Sequence, residues 1–115
     1  MGYYTNFDLV MLPEPDIDFE GEIMKAIAAK ITNEDPNDIS VDDAKWCLCD
    51  ALKWYDHDKD MIEVSKQFPD ITFILYGTGE DNDDIWKAYY KNGEMEGIQA
   101  RIVFDKPINP LFQDI

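Results

Sequence analysis

Two hydrophobic rhythms alternate along the chain. Tyr3 to Leu12 is rich in β-forming residues and is closed by Pro13 and Pro15, which predicts an N-terminal strand. From Ile17 to Ile31 the period lengthens: Ile23, Ile27 and Ile31, with Met24 and Ala28 beside them, recur at helical spacing, and Asp16 or Asp18 can cap the start. Asn33, Asp35, Pro36, Asn37 and Asp38 favour local turns and predict a loop. Ser40 with Asp43 three residues on resembles a capping box, and Val41, Ala44, Leu48, Leu52 and Tyr55 fall on one face of a second helix from about Val41. The Lys53–Tyr55 end of that segment reads equally well as a short strand.

A third helix carries Met61, Val64, Ser65 and Phe68 on one stripe, with Asp58 as its cap and Pro69 as its stop. Residues 71–76, β-branched and aromatic, predict a central strand bounded by Gly77 and Gly79. Asn92-Gly93 joins two further strands, because a type I′ turn needs positive φ at both central positions. On the last strand Ile98, Ala100, Ile102 and Phe104 are expected to face the core, and Gln99 and Arg101 the solvent. Together these elements make an α+β fold, an antiparallel sheet with helices packed on one face. If Lys53–Tyr55 is helical the order is β-α-α-α-β-β-β. With a strand there, the preferred version, the chain approaches a ferredoxin-like sandwich with an inserted helix. One domain is expected over residues 1–106, followed by an extended tail over 107–115 that holds Pro107 and Pro110.

Composition adds one strong constraint. Ten Lys and Arg stand against 25 Asp and Glu, a net charge of -15. Such a chain repels nucleic acid and anionic membrane and is steered toward basic protein surfaces, although acid excess also serves solubility alone. Residues 1–60 hold net -10 and residues 61–115 net -5, and Asp outnumbers Glu by 17 to 8. The opening segment lacks the basic, apolar and small-residue regions of a signal peptide, and no apolar run approaches the roughly 18 residues of a membrane span. A cytoplasmic protein is expected. Cys47 and Cys49, one residue apart, are poorly placed for a mutual disulfide and read as reduced thiols.

Candidate chemistry is sparse. Asp56, Asp58 and Asp60 alternate around His57 like a calcium loop, but Met61 and Gln67 stand where an EF-hand needs Gly and Glu. A small metal-dependent enzyme centred on His57 and these aspartates is the alternative reading, against carboxylates that merely start a helix. Gly77-Thr78-Gly79 is followed by Glu80, Asp81, Asp83 and Asp84, carboxylates that would repel a phosphate, so no nucleotide cofactor is expected. Trp54, Tyr55, Trp86, Tyr89 and Tyr90 lack the Lys and Arg that surround base-stacking aromatics, and read as core or, where exposed, as anchors in a protein interface.

Lys53-Trp54-Tyr55-Asp56-His57-Asp58-Lys59-Asp60-Met61, Phe68-Pro69-Asp70 and Asp84-Ile85-Trp86-Lys87-Ala88-Tyr89-Tyr90-Lys91-Asn92-Gly93 resemble small uncharacterised proteins of phages and prophages. More distantly they are similar to the ferredoxin-like domain of Api92-type phage and plasmid proteins. The resemblance covers about residues 53–104, with residues 32–52 as an individual insertion, and implies a mobile-element origin without an active site to transfer. The function expected is that of a non-enzymatic, acidic, protein-binding module in a bacterial host: a phage-derived inhibitor of a defence nuclease, of the anti-CRISPR or DNA-mimic antirestriction type. Its surface would be built from Glu34, Asp35, Asp38, Asp42 and Asp43, from Asp56, Asp58 and Asp60, and from Glu80, Asp81, Asp83 and Asp84, with Trp54 and Trp86 as anchors. A phage accessory protein that self-associates through the C-terminal hairpin is a further alternative.

Overall fold

A computed structural model describes residues 3–101 and 103–114. Strand β1 (Thr5–Leu12) is followed by helix α1 (Ile17–Thr32), a 3-10 turn (Pro36–Asp38), a short helix α2 (Val41–Lys45) and helix α3 (His57–Gln67). Strands β2 (Thr72–Gly79), β3 (Ile85–Lys91) and β4 (Glu94–Gln99) complete an antiparallel sheet of order β1-β2-β3-β4. The α+β architecture stands as read from the sequence.

Helices α1 and α2 start with the side chains expected to start them. Asp16 accepts the Phe19 N–H at 2.8 Å and Ser40 accepts that of Asp43 at 3.1 Å, each satisfying an amide with no partner inside its helix. Along β1 burial alternates, and the register of β1 with β2 puts Phe7, Leu9, Met11, Phe73 and Leu75 toward the helices. They meet Ile23 and Ile27 of α1 and Met61 and Val64 of α3 in one core. Phe19 packs edge-on against Phe68, ring centres 5.5 Å apart, and closes the start of α1 against the end of α3.

Three expectations are corrected. Helix α2 stops after five residues rather than continuing to Tyr55. Trp46 and Cys47 donate three residues back, to Asp43 and Ala44, and tighten the chain out of the α-helix. Lys53–Tyr55 does not form a strand. Leu52 alone reaches the sheet, exchanging two 2.9 Å hydrogen bonds with Thr5, so the strands follow one another in sequence order without the interleaving of a ferredoxin-like sandwich.

The third correction concerns β4. Its two-residue turn has positive φ at both Asn92 (47°) and Gly93 (85°), and it sets Glu94 opposite Lys91. That register puts Glu94, Glu96 and Ile98 on the face away from the helices, and Met95, Gly97 and Gln99 toward them. Ile98 and Ala100 are therefore not core residues. Ile102 lies outside the described residues. Phe104 is 90% exposed in the segment that follows β4.

Ser65 is fully buried and secures this hairpin. Its hydroxyl donates to the Ile62 carbonyl at 2.7 Å and accepts the Gly93 N–H at 2.9 Å, tying α3 to the β3–β4 turn. Ser65→Ala leaves the Gly93 N–H without that acceptor. The expected cost is about 1–2 kcal/mol, seen in calorimetry as a fall in thermal midpoint of roughly 5–15 °C.

Candidate partner-binding surface

The segment that joins α2 to α3 is fixed by its aromatic residues. Trp54 is buried between sheet and helix, 5.3 Å edge-on from Phe7, and its indole N–H donates to Asp60 Oδ2 at 2.8 Å. Tyr55 next to it points outward, 64% exposed, and its hydroxyl accepts the Tyr3 N–H at 2.8 Å. His57 stacks on Trp86 with ring centres 4.7 Å apart and planes 19° from parallel. The Trp86 indole in turn lies where a Cβ of Gly77 would be, so the cross-strand position tolerates only glycine.

Asp58 was expected to cap α3, but Asp56 is the cap residue and makes no capping side-chain bond. Asp58 instead lies in the first turn and serves the core. Its Oδ1 accepts the Tyr90 hydroxyl at 2.5 Å and lies 3.0 Å from His57 Nδ1. Because a carboxylate can only accept, the proton of His57 is assigned to Nδ1. Burial first, and the bond to Asp58 second, hold the Tyr90 phenol well above its ordinary range. His57 also lines a shallow cleft of about 370 Å³ with Lys87, Met95, Gly97 and Gln99.

Two anchors assigned from sequence are thus corrected. Trp54 is 6% exposed and Trp86 is half-buried beneath His57, and both belong to the interior. Of the aromatic residues between α2 and α3, Tyr55 and Trp46 reach solvent, the latter 71% exposed. Sequence pattern misplaced Tyr55 because it continued the apolar face of a helix that ends ten residues earlier.

The acidic residues separate by direction. Glu34, Asp56, Asp60 and Glu63 line a groove of about 600 Å³ between α1 and α3, together with Lys30 and Lys59. Lys30 and Glu63 form an ion pair, and the Lys30 bond, ahead of its charge, holds the exposed Glu63 carboxyl below its usual range. Glu34, Asp56 and Asp60 then outnumber Lys59. The turn of Glu80 to Asp84 is tied to the same end of the molecule. Tyr3 donates its hydroxyl to Asp84 at 2.6 Å and accepts the Asp81 N–H at 3.1 Å, while the Tyr4 N–H reaches Glu80 at 3.3 Å. Through Tyr3 and Tyr55 this turn adjoins Asp56.

Asp42 and Asp43 do not join them. Asp35 accepts the Asn37 N–H and opens the 3-10 turn that holds Asp38. Asp42 and Asp43 ride on α2, whose Val41 packs against Gly21 near the start of α1. Glu34 lies beyond the other end of that helix, about 20 Å away at 1.5 Å per residue. Among the described residues no three His, Cys, Asp or Glu side chains are grouped to hold a metal ion. Asp58 and Asp60, both in the first turn of α3, are engaged by Tyr90 and Trp54 instead. No helix among them is long and apolar enough to cross a membrane. Comparison of the chain with protein-family models, curated proteins and solved structures finds no match.

Titration of the buried groups gives two tests. A phenol whose pKa is raised by folding contributes stability below its unfolded value and loses it as pH rises, so the urea midpoint should fall as pH climbs past the ordinary tyrosine value of 10.0. Cys47 is half-buried, and burial, ahead of the neighbouring Cys49, pushes its thiol up from 9.0 to about 11. At mildly alkaline pH its thiolate is about a hundredfold scarcer than that of an ordinary thiol. Iodoacetamide followed by peptide mass analysis should label the exposed Cys49 well before Cys47.

Proposed function

We propose that the protein is a non-enzymatic binding module that competes for a basic, nucleic-acid-binding surface on a bacterial nuclease, in the manner of phage-encoded anti-CRISPR or DNA-mimic antirestriction inhibitors. The observation that carries this reading is the joining of two separate acidic segments at one end of a chain of net charge -15. Glu34 and Asp56 in the groove, and Glu80, Asp81 and Asp83 on the adjoining turn, supply the charge. Carboxylates held on a folded frame lose little conformational freedom when they meet a cationic groove, which favours them over an acidic tail. Tyr55 stands between the two acidic groups and replaces Trp54 as the aromatic anchor, since exposed aromatics surrounded by complementary charge are common interface hot spots. The host bacterial cytoplasm is the setting that this partner would require.

The acidic end makes a specific demand on mutagenesis. In a competition assay with labelled DNA bound to CRISPR or restriction nucleases, the protein should displace DNA from its target, with affinity falling as salt rises. Neutralising Glu34, Asp56, Glu80, Asp81 and Asp83 to their amides should weaken displacement by about tenfold or more. Asp42→Asn with Asp43→Asn, on the far side of α1, should change it little. Equal loss from both sets would show that net charge alone acts, and no displacement from any such nuclease would overturn the proposal.

A further inference from the structure

The sheet has a second face, and no helix or loop among the described residues is packed on it. Strand register places Val10, Leu12, Ile74, Tyr76, Ile85 and Ile98 on the side away from the helices. Five of these are 39–50% exposed. Between Tyr76, Ile85, Lys87, Ile98 and Ala100 lies an apolar pocket of about 200 Å³. That is below the usual size of a small-molecule site and suits one or two large side chains. Contiguous apolar surface of this kind marks an interaction site.

The same chain carries an exposed apolar segment. Val103, Phe104, Ile108 and Leu111 are 79–94% exposed, and Phe112 is half exposed. Among the described residues the hydrogen bonds of this tail stay within it, from the Leu111 and Phe112 N–H groups to Asn109 and from Gln113 to the Ile108 carbonyl. Val103 to Pro107 form no helix or strand, and Pro110 opens a 3-10 turn over Pro110–Phe112. The tail projects from the body, giving a radius of gyration of 17.7 Å where a compact chain of this length has about 13 Å. Residues 103–107, if extended, reach about 17 Å, enough to cross four strands spaced about 4.8 Å apart.

Charge selects these two surfaces from the rest of the molecule. Two copies at -15 each repel one another, so they can meet only where charge is low. Residues 101–115 hold Arg101 and Lys106 against Asp105 and Asp114, a net of zero. On the open sheet face Lys87 and Lys91 nearly balance Asp8, Glu94 and Glu96.

We propose that the protein forms a two-fold dimer in which residues 103–112 of each copy lie across the open sheet face of the other, with a tail aromatic seated between Tyr76, Ile85 and Ile98. The contact is reciprocal, as two-fold symmetry requires, and it leaves the acidic ends free on both copies. Light scattering on the full chain should give twice 13.4 kDa. Phe104→Asp with Ile108→Asp alters only the projecting tail, and Ile98→Glu alters a half-exposed residue on the face. Each should return the mass to 13.4 kDa with an unchanged circular-dichroism spectrum. A monomeric wild type would overturn the proposal, and so would a dimer that survives either variant. The readout requires no nuclease, so it is independent of the function proposed above.

Discussion

Tyr90 is fully buried near the end of β3, and its hydroxyl must find an acceptor there because an unpaired polar group in the core costs about 1–3 kcal/mol. Asp58 provides it from the first turn of α3, and the same carboxylate oxygen lies beside His57 Nδ1. That oxygen sets the height of α3 above the sheet. With α3 in place, His57 stacks on Trp86, Trp86 covers Gly77, and Trp54 is enclosed against Phe7 with its N–H on Asp60. At the other end of α3, Ser65 fixes the β3–β4 turn. The helix is thus tied to the sheet at both ends, by a charged group at one and a neutral one at the other.

This arrangement divides the acidic residues by role. Asp58 and Asp60 sit two residues apart at the start of one helix, yet both are drawn inward as acceptors for aromatic donors. Asp56 makes no capping bond and lines the groove with Glu34, while Tyr3 and Tyr55 bring the turn of Glu80 to Asp84 alongside. Acid that holds the fold together is therefore distinct from acid left available to a partner. Substitutions that treat the Asp56–Asp60 segment as one charged patch would mix the two.

Much of the fold was legible in the sequence because local signals there agreed with one another. The period of Ile23, Ile27 and Ile31 marked α1, the stripe of Met61, Val64 and Ser65 marked α3, and Asn92-Gly93 marked the hairpin turn. The errors arose where a local pattern met a longer-range constraint. Ile98 and Ala100 alternate like core residues, but the two-residue turn fixes β4 in the opposite register, and a turn of that geometry leaves no freedom to slip. Leu48, Leu52 and Tyr55 continue a helical face, yet the paired hydrogen bonds of Leu52 to Thr5 draw the chain to the sheet edge. In the candidate surface, the acidic segments could be named but not their neighbours. The bonds from Tyr3 to Asp84 and to Tyr55 span 81 and 52 residues, a separation no local pattern records.

The anchoring role of Asp58 is best tested by a double-mutant cycle in urea denaturation, using Asp58→Asn, Tyr90→Phe and the pair. If the carboxylate and the phenol act together across the helix–sheet boundary, the single losses should exceed the loss in the pair, with a coupling of about 1–2 kcal/mol. Losses that add to within roughly 0.5 kcal/mol would contradict it, and would mean that the two side chains stabilise the fold separately.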